Sequence, residues 1–294
     1  MHAAAAPKSH HYVPASYLAR FADDEGYVFV EDRVRSQIRR QRPKKLMKIG
    51  AYYRQRWVPL GIDPNILEIS LGSGLEDIAK TAIDQLTQTG EPLGEDDAAA
   101  FLMYVEFQRI RVPRQAAQAM EMMRTSILNC LSPDLLKQMR EEGFQLSMKD
   151  SARFDYMRMV SGTIYPWLCR MEWEVVSAEQ GSSFLTSDSP VSFFNPQIMP
   201  PAEAGLGLAG TVVLYPLSSM HLLIMRHAEG RTLDALDVLP VPEDRDYRIA
   251  IQHGRILGAA GVRCNNSIIH TLAHELVAGR DPGIFEFAAP GVAG

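Results

Sequence analysis

The chain has 294 residues, 46% of them apolar and 22% charged, with a formal net charge of -5, a make-up that belongs to folded globular proteins and excludes disordered or fibrous ones. No uninterrupted apolar run approaches the roughly 20 residues of a membrane helix, and Met1 to Pro7 lacks the basic start and apolar core of a secretory signal, so a cytoplasmic protein with no membrane partner is expected. Cys130, Cys169 and Cys264 are odd in number and widely spaced, which fits reduced thiols in the core and excludes a paired zinc knuckle.

The first segment with chemical character is Lys8-Ser9-His10-His11-Tyr12-Val13-Pro14, with Tyr17, Leu18 and Phe21 following at helical spacing. Two imidazoles beside a lysine are proton donors, proton acceptors or metal ligands near neutral pH, because free histidine titrates at about 6.5. Asp23-Asp24-Glu25-Gly26 is a turn, and Tyr27 to Asp32 has the β-branched and aromatic content of a strand. From Arg33 to Arg56 the chain carries ten basic residues and no acidic one, among them Arg39, Arg40, Lys44 and Lys45, leaving twenty basic against thirty-five acidic residues elsewhere. A segment kept this positive suits phosphates or nucleic acid, whose counterions it would release; the alternative is a solvated basic helix or loop paired with the acidic remainder.

Pro59, Gly61, Pro64, Gly72 and Gly74 mark a connection through which no long helix runs. Apolar residues then recur at three- and four-residue steps from Leu75 to Leu86, and a second helix starts at Glu95-Asp96-Asp97, whose charges complement the helix dipole. Pro113 ends or kinks it. Tyr104, Gln108 and Arg111 fall at helix-compatible steps with Arg114 beyond, and guanidinium groups emerging from an apolar helix meet either a carboxylate, Asp188 being a candidate, or a phosphate. Further helices are expected from Ala116 to Leu131, with its methionines as core filler, from Leu135 to Glu142 and from Ala152 to Cys169.

Beyond Trp173 the texture turns to strands: Trp173 to Val176, Ser183 to Thr186, Val191 to Phe194, Thr211 to Tyr215 and His221 to Met225. Thr186-Ser187-Asp188-Ser189-Pro190 presents two hydroxyls and a carboxylate at a strand end. Asp188 there suits orienting a histidine, binding a metal or acting as a base, and Ser187 suits donating to an anion; the alternative is a turn saturating its own backbone. Tyr215-Pro216-Leu217-Ser218-Ser219 repeats that geometry, with Ser218 a candidate for lining a cleft. The run Gly205 to Gly210 matches the dinucleotide glycine pattern but is followed by a strand, so no helix dipole would cradle a phosphate. A last helix is expected from about Asn265 to Val277, stopped by Gly279. His270 and His274 would share one of its faces, at zinc-chelating spacing but with no third ligand nearby.

These elements describe an α+β protein in which a central helical bundle packs with a mixed or antiparallel sheet formed mainly by the C-terminal half. One domain spans 1–294: a histidine motif and basic segment over 1–60, helices over 75–170, strands over 171–262 and a closing helix over 263–279.

The order of pieces resembles bacterial domain-of-unknown-function family 4238. The resemblance rests on Lys8, His10, His11, Tyr12, Val13 and Pro14, on Tyr17, Leu18 and Phe21, on a central helix bearing Gln108, Arg111 and Pro113, on Thr186-Ser187-Asp188 with Pro190, on Pro216-Leu217-Ser218, and on an asparagine near Asn265. It implies that these separated groups converge. His10 or His11 would then be a general base or metal ligand oriented by Asp188, with Arg111 and Lys8 stabilising an anionic transition state and Gln108 and Ser187 binding substrate. Such a set suits phosphodiester cleavage by a nuclease-like hydrolase, a toxin or phage-defence effector, and a divalent metal is compatible with it. The His-His-x-x-Pro start is also similar to that of histidine–metal nucleases, but Arg33 to Arg56 holds neither their asparagine nor their second histidine. The competing expectation is a non-catalytic nucleic-acid-binding or regulatory module in which His10, His11, Arg111 and Asp188 form a structural network.

Overall fold

A computed structural model describes residues 9–55, 60–66, 74–89, 93–147, 152–199, 202–227 and 251–285, and structural statements below concern these. Lys8, Arg56, Pro59 and Gly72 lie outside them.

The architecture is α+β, with most strands in the C-terminal half. The histidine motif opens as β1 (Ser9–His11), which pairs antiparallel with β4 (Lys48–Gly50), His10 opposite Ile49 and His11 opposite Lys48. A short helix α1 (Ala15–Leu18) runs into a 3₁₀ turn (Ala19–Phe21), burying Tyr17, Leu18 and Phe21. The described part of the basic segment combines two strands with a 3₁₀ turn over Pro43–Lys45. It supplies the second strand of a hairpin, β2 (Val28–Asp32) and β3 (Gln37–Gln41), in which β2 buries alternate residues Val28, Val30 and Asp32.

The helices follow: α2 (Glu76–Gln88), α3 (Glu95–Ile110), α4 (Pro113–Asn129), α5 (Pro133–Glu141), α6 (Ala152–Val160) and α7 (Tyr165–Leu168). Helix α2 buries Ala79, Ala82, Ile83 and Leu86, the stripe its periodicity predicts. Pro113 separates α3 from α4, having no N–H to continue the ladder. The stretch from Ala152 to Cys169 is two helices, because Gly162 adopts φ +82°, a left-handed turn, and the carboxylate of Glu106 accepts hydrogen bonds from the N–H groups of Gly162, Ile164 and Tyr165 before α7. The methionines at the helical steps of α4, Met120 and Met123, are half-buried rather than in the core, and α4 has no fully buried residue beyond Ala119. Of the cysteines, Cys169 is buried, whereas Cys130 and Cys264 are exposed.

The strands form two larger sheets. One is mixed, ordered β10 (Ile251–Leu257), β5 (Glu172–Ala178), β9 (His221–Arg226), β8 (Val212–Pro216) and β7 (Ser192–Phe194), with β10 parallel to β5 and the other pairs antiparallel. The other is antiparallel, ordered β3, β2, β11 (Leu276–Gly279) and β6 (Thr186–Ser187). The C-terminal strand β11 thereby zips the N-terminal hairpin to the Thr-Ser-Asp segment.

That strand corrects the predicted last helix. The helix, α8, spans Ala259–Leu272, and Ala273 is already extended. It stops there because the N–H groups of His274, Glu275 and Leu276 donate to the Asp188 carboxylate at 2.9, 2.7 and 3.0 Å instead of to carbonyls one turn back. Gly279 is a close-packing position inside a strand rather than a helix stop, since a β-carbon there would lie 2.8 Å from the Ile284 side chain.

One apolar cluster extends from Tyr12 and Val13 through Phe101 and Leu102 to Trp173, Tyr215 and Ala278, joining the histidine segment, the helices and both larger sheets.

Candidate functional site

The N-terminal motif is a strap across the middle of the fold. His10 is fully buried, its Nδ1 accepting the Tyr53 N–H at 2.8 Å while its ring stacks on Tyr53. An accepting Nδ1 makes this imidazole neutral with its proton on Nε2. The next residue faces outward: His11 is half-buried, with Nε2 3.3 Å from the Lys44 carbonyl, and burial lowers its pKa below the ordinary histidine value. Tyr12 donates its N–H to Met47 and accepts at its carbonyl from Gln108 Nε2, both at 3.0 Å. Tyr17 Oη donates to the Pro216 carbonyl at 2.7 Å and meets Thr186 Oγ1 at 2.9 Å. A motif of nine residues therefore touches α3, the Thr-Ser-Asp segment and the Pro-Leu-Ser turn.

Arg111 is also buried. Its guanidinium donates to Glu76 Oε1 at 2.9 Å and to Gln108 Oε1 at 2.5 Å. The partner of this arginine is thus Glu76, and Asp188 is excluded as its salt bridge. The Arg114 guanidinium meets Glu203 at 3.0 Å, and Arg109 meets the same carboxylate. Those guanidinium groups are held by carboxylates, which resolves the open choice between carboxylate and phosphate among the described residues.

Asp188 is 4% exposed and accepts the three N–H groups at 274–276. Burial raises its pKa above the usual carboxylate range even against those donors. Ser187 is fully buried, and its Oγ accepts from the Ser189 N–H at 3.1 Å. The hydroxyl thus serves its own turn. Ser218 does likewise, accepting from the N–H groups of Met220 and His221.

The basic run divides in two. Arg33 donates to the Ala273 carbonyl, Arg35 and Arg39 face Asp32 at 2.7 and 3.6 Å, Arg40 pairs with Asp23 and Glu25 over the Tyr27 ring, and Arg42 donates to Tyr27 Oη. Lys44, Lys45 and Lys48 are exposed and make no ion pair among the described residues.

A cavity of about 380 Å³ lies where these parts meet, lined by Tyr12, Arg39, residues 45–49, Pro113, Asp188 and residues 274–276. Its cations come from Arg39, Lys45 and Lys48, and its carboxylates from Asp188 and Glu275. Met47 in its wall holds φ +47°, a costly conformation for a residue with a β-carbon. Of the residues the sequence singles out, Tyr12, Arg39, Lys45, Pro113, Asp188 and His274 line this cavity; His10, His11, Arg40, Lys44, Gln108, Arg111 and Ser187 do not. Lys48 and Glu275 also line the cavity without having been singled out as site residues: Lys48 belongs to the basic run and Glu275 stands next to His274, but its place in the wall depends on Asp188 holding its backbone.

No three histidine, cysteine or carboxylate side chains gather as a metal site among the described residues. His270 bonds Glu31 at 2.8 Å from inside α8, while His274 lies beyond its end, so the pair shares no helix face. No helix among the described residues is long and apolar enough to cross a membrane.

The family model described as "Protein of unknown function (DUF4238)" matches residues 9–280. The chain belongs to the DUF4238 family. The match runs from the buried histidine strand past β11, so the strap, the arginine helix and the Asp188 turn all lie inside it. Comparison with curated proteins gives no match, and neither does comparison with solved structures.

Proposed function

We propose that this DUF4238 protein is a non-catalytic binding module for nucleic acid or another phosphate-bearing ligand, with His10, Arg111 and Asp188 as structural members of its fold. The observation that carries this reading is the cavity itself: Lys45 and Lys48 line it without a counterion among the described residues, while those three residues are engaged with Tyr53, with Glu76 and Gln108, and with the 274–276 backbone. Cations free of internal partners are the ones that gain from a phosphate. Arg40 and Arg42, tied to Asp23, Glu25 and Tyr27, fall outside this role.

The test is fluorescence anisotropy with labelled single-stranded RNA and DNA. Binding should weaken steeply as salt rises from about 50 to about 200 mM, the mark of phosphate neutralisation. A Lys45→Ala/Lys48→Ala variant with an unchanged melting temperature should lose it. Parent and variant binding alike would refute the reading.

A second reading, phosphodiester hydrolysis, is favoured by His11 alone, whose half-buried imidazole lies with Nε2 3.3 Å from the Lys44 carbonyl, outside the cavity. It keeps His11 as general base, with a toxin or phage-defence role. Incubation of RNA and DNA with purified protein, with and without divalent metal, should then give products that His11→Ala abolishes. No products from the parent would dismiss it.

A further inference from the structure

The cavity is bounded by two kinds of chain segment. Residues 39 and 45–49 bring three cations and no carboxylate; Asp188 and residues 274–276 bring two carboxylates and His274. Arg39 is partly engaged by Asp32 at 3.6 Å, which leaves Lys45 and Lys48 as the cavity cations with no ion pair among the described residues. Asp188 spends three acceptor positions of a possible four or so on backbone N–H groups, which leaves Glu275 as the free carboxylate. The Glu275 side chain is 56% exposed and lies 3.7 Å from the His274 imidazole. A ligand satisfying both ends carries an anionic group for the lysines and an uncharged or cationic N–H donor for the glutamate. Inorganic phosphate meets only the first requirement.

Size narrows the choice. A volume of about 380 Å³ sits at the small end of the range for ligand sites, about 300 to 1,000 Å³, with room for one nucleotide and none for a duplex. Tyr12, Leu46, Met47, Ile49 and Pro113 add apolar wall for a planar ring. We propose that the cavity takes a single nucleotide unit whose base carries an exocyclic amino group, with its phosphate on Lys45 and Lys48 and its amino group donating to Glu275. Carboxylates read cytosine by this contact, accepting from its N4 amino group, whereas uracil presents a carbonyl there and is repelled. The inference rests on the phosphate-binding reading and specifies its ligand.

Cytidine and uridine 5′-monophosphate make the test, because they differ at this one position. Isothermal titration calorimetry should show the cytidine nucleotide bound about tenfold tighter, the worth of one hydrogen bond to a charged group. Glu275→Ala should bring cytidine down to the uridine value, and Lys48→Ala should weaken both by the same factor; both positions are exposed, and melting curves check that the variants fold. Equal affinity of the two nucleotides, or a preference that survives Glu275→Ala, overturns the inference and leaves the phosphate-binding reading standing. Failure of both nucleotides, inorganic phosphate and single-stranded oligonucleotides to bind overturns both together.

Discussion

Asp188 illustrates how a single carboxylate sets the course of a distant segment. By accepting three N–H groups it ends α8 at Leu272 and hands residues 276–279 to the sheet. Asparagine at 188 would turn a donor toward those donors, so Asp188→Asn should cost about 1 to 3 kcal/mol, read as a lower urea midpoint. Burial raises its folded-state pKa, so the folded chain holds this proton more tightly than the unfolded chain does. Its contribution is therefore fully present below about 3.9 and lost as pH rises through the folded value. Carbon-13 NMR of the side-chain carboxyl should place its midpoint above 3.9 or so; a midpoint at or below that contradicts the burial account. His11 has the opposite sign. Its folded pKa is depressed by burial, so its contribution is present above about 6.5 and lost as pH falls through the folded value. His11→Gln should flatten the decline in urea stability over that window, with His221 and His253, lowered by the same cause, accounting for what remains. The histidine pair was legible in the sequence as a special pair. That one is sealed against Tyr53 and the other faces outward was not, because strand alternation splits neighbours only once the strand is known.

At the scale of elements, periodicity located most helices and the strands of the mixed sheet other than β10, which was not foreseen, because burial follows one face, as in α2 and β2. It failed at β11, where Asp188 takes the chain out of helix; in the distal half of α4 and in α5 it placed the helices, but their apolar residues are left largely uncovered. Helix α5 has no buried residue at all, and Ser132 caps its start through the Leu135 N–H. Its side chains therefore add little to stability. Leu136→Ala should lower the unfolding free energy measured in urea by no more than about 0.5 kcal/mol, against about 2 to 5 kcal/mol for Leu18→Ala, whose side chain is fully buried. An equal cost at the two sites would show that α5 is covered. Among the links between elements, Glu76 on α2 is the counterion of a buried guanidinium on α3. Glu76→Gln should cost about 2 kcal/mol, moderated by Gln108, which holds the other side of Arg111.

On the scale of the whole molecule, the strap, β11 and the Thr-Ser-Asp segment join early and late parts of the described chain, and the charge asymmetry visible in the sequence is resolved by place. Arginines of the basic run are used on the hairpin and at its junction with α8, while the side chains of the lysines at 44, 45 and 48 make no ion pair among the described residues. Sequence reasoning found the run but not this division, because the partners Asp23, Asp32 and Ala273 become neighbours only through the hairpin and β11. The central claim is that the motif residues hold the fold and the cavity lysines hold the ligand. Its most direct test is lysine acetylation of the protein with and without a saturating single-stranded oligonucleotide, read site by site by mass spectrometry. The account predicts that Lys45 and Lys48 are protected while Lys137, on the exposed α5, reacts as before. Protection at Lys137 or Lys80 with Lys45 and Lys48 still reactive would contradict it.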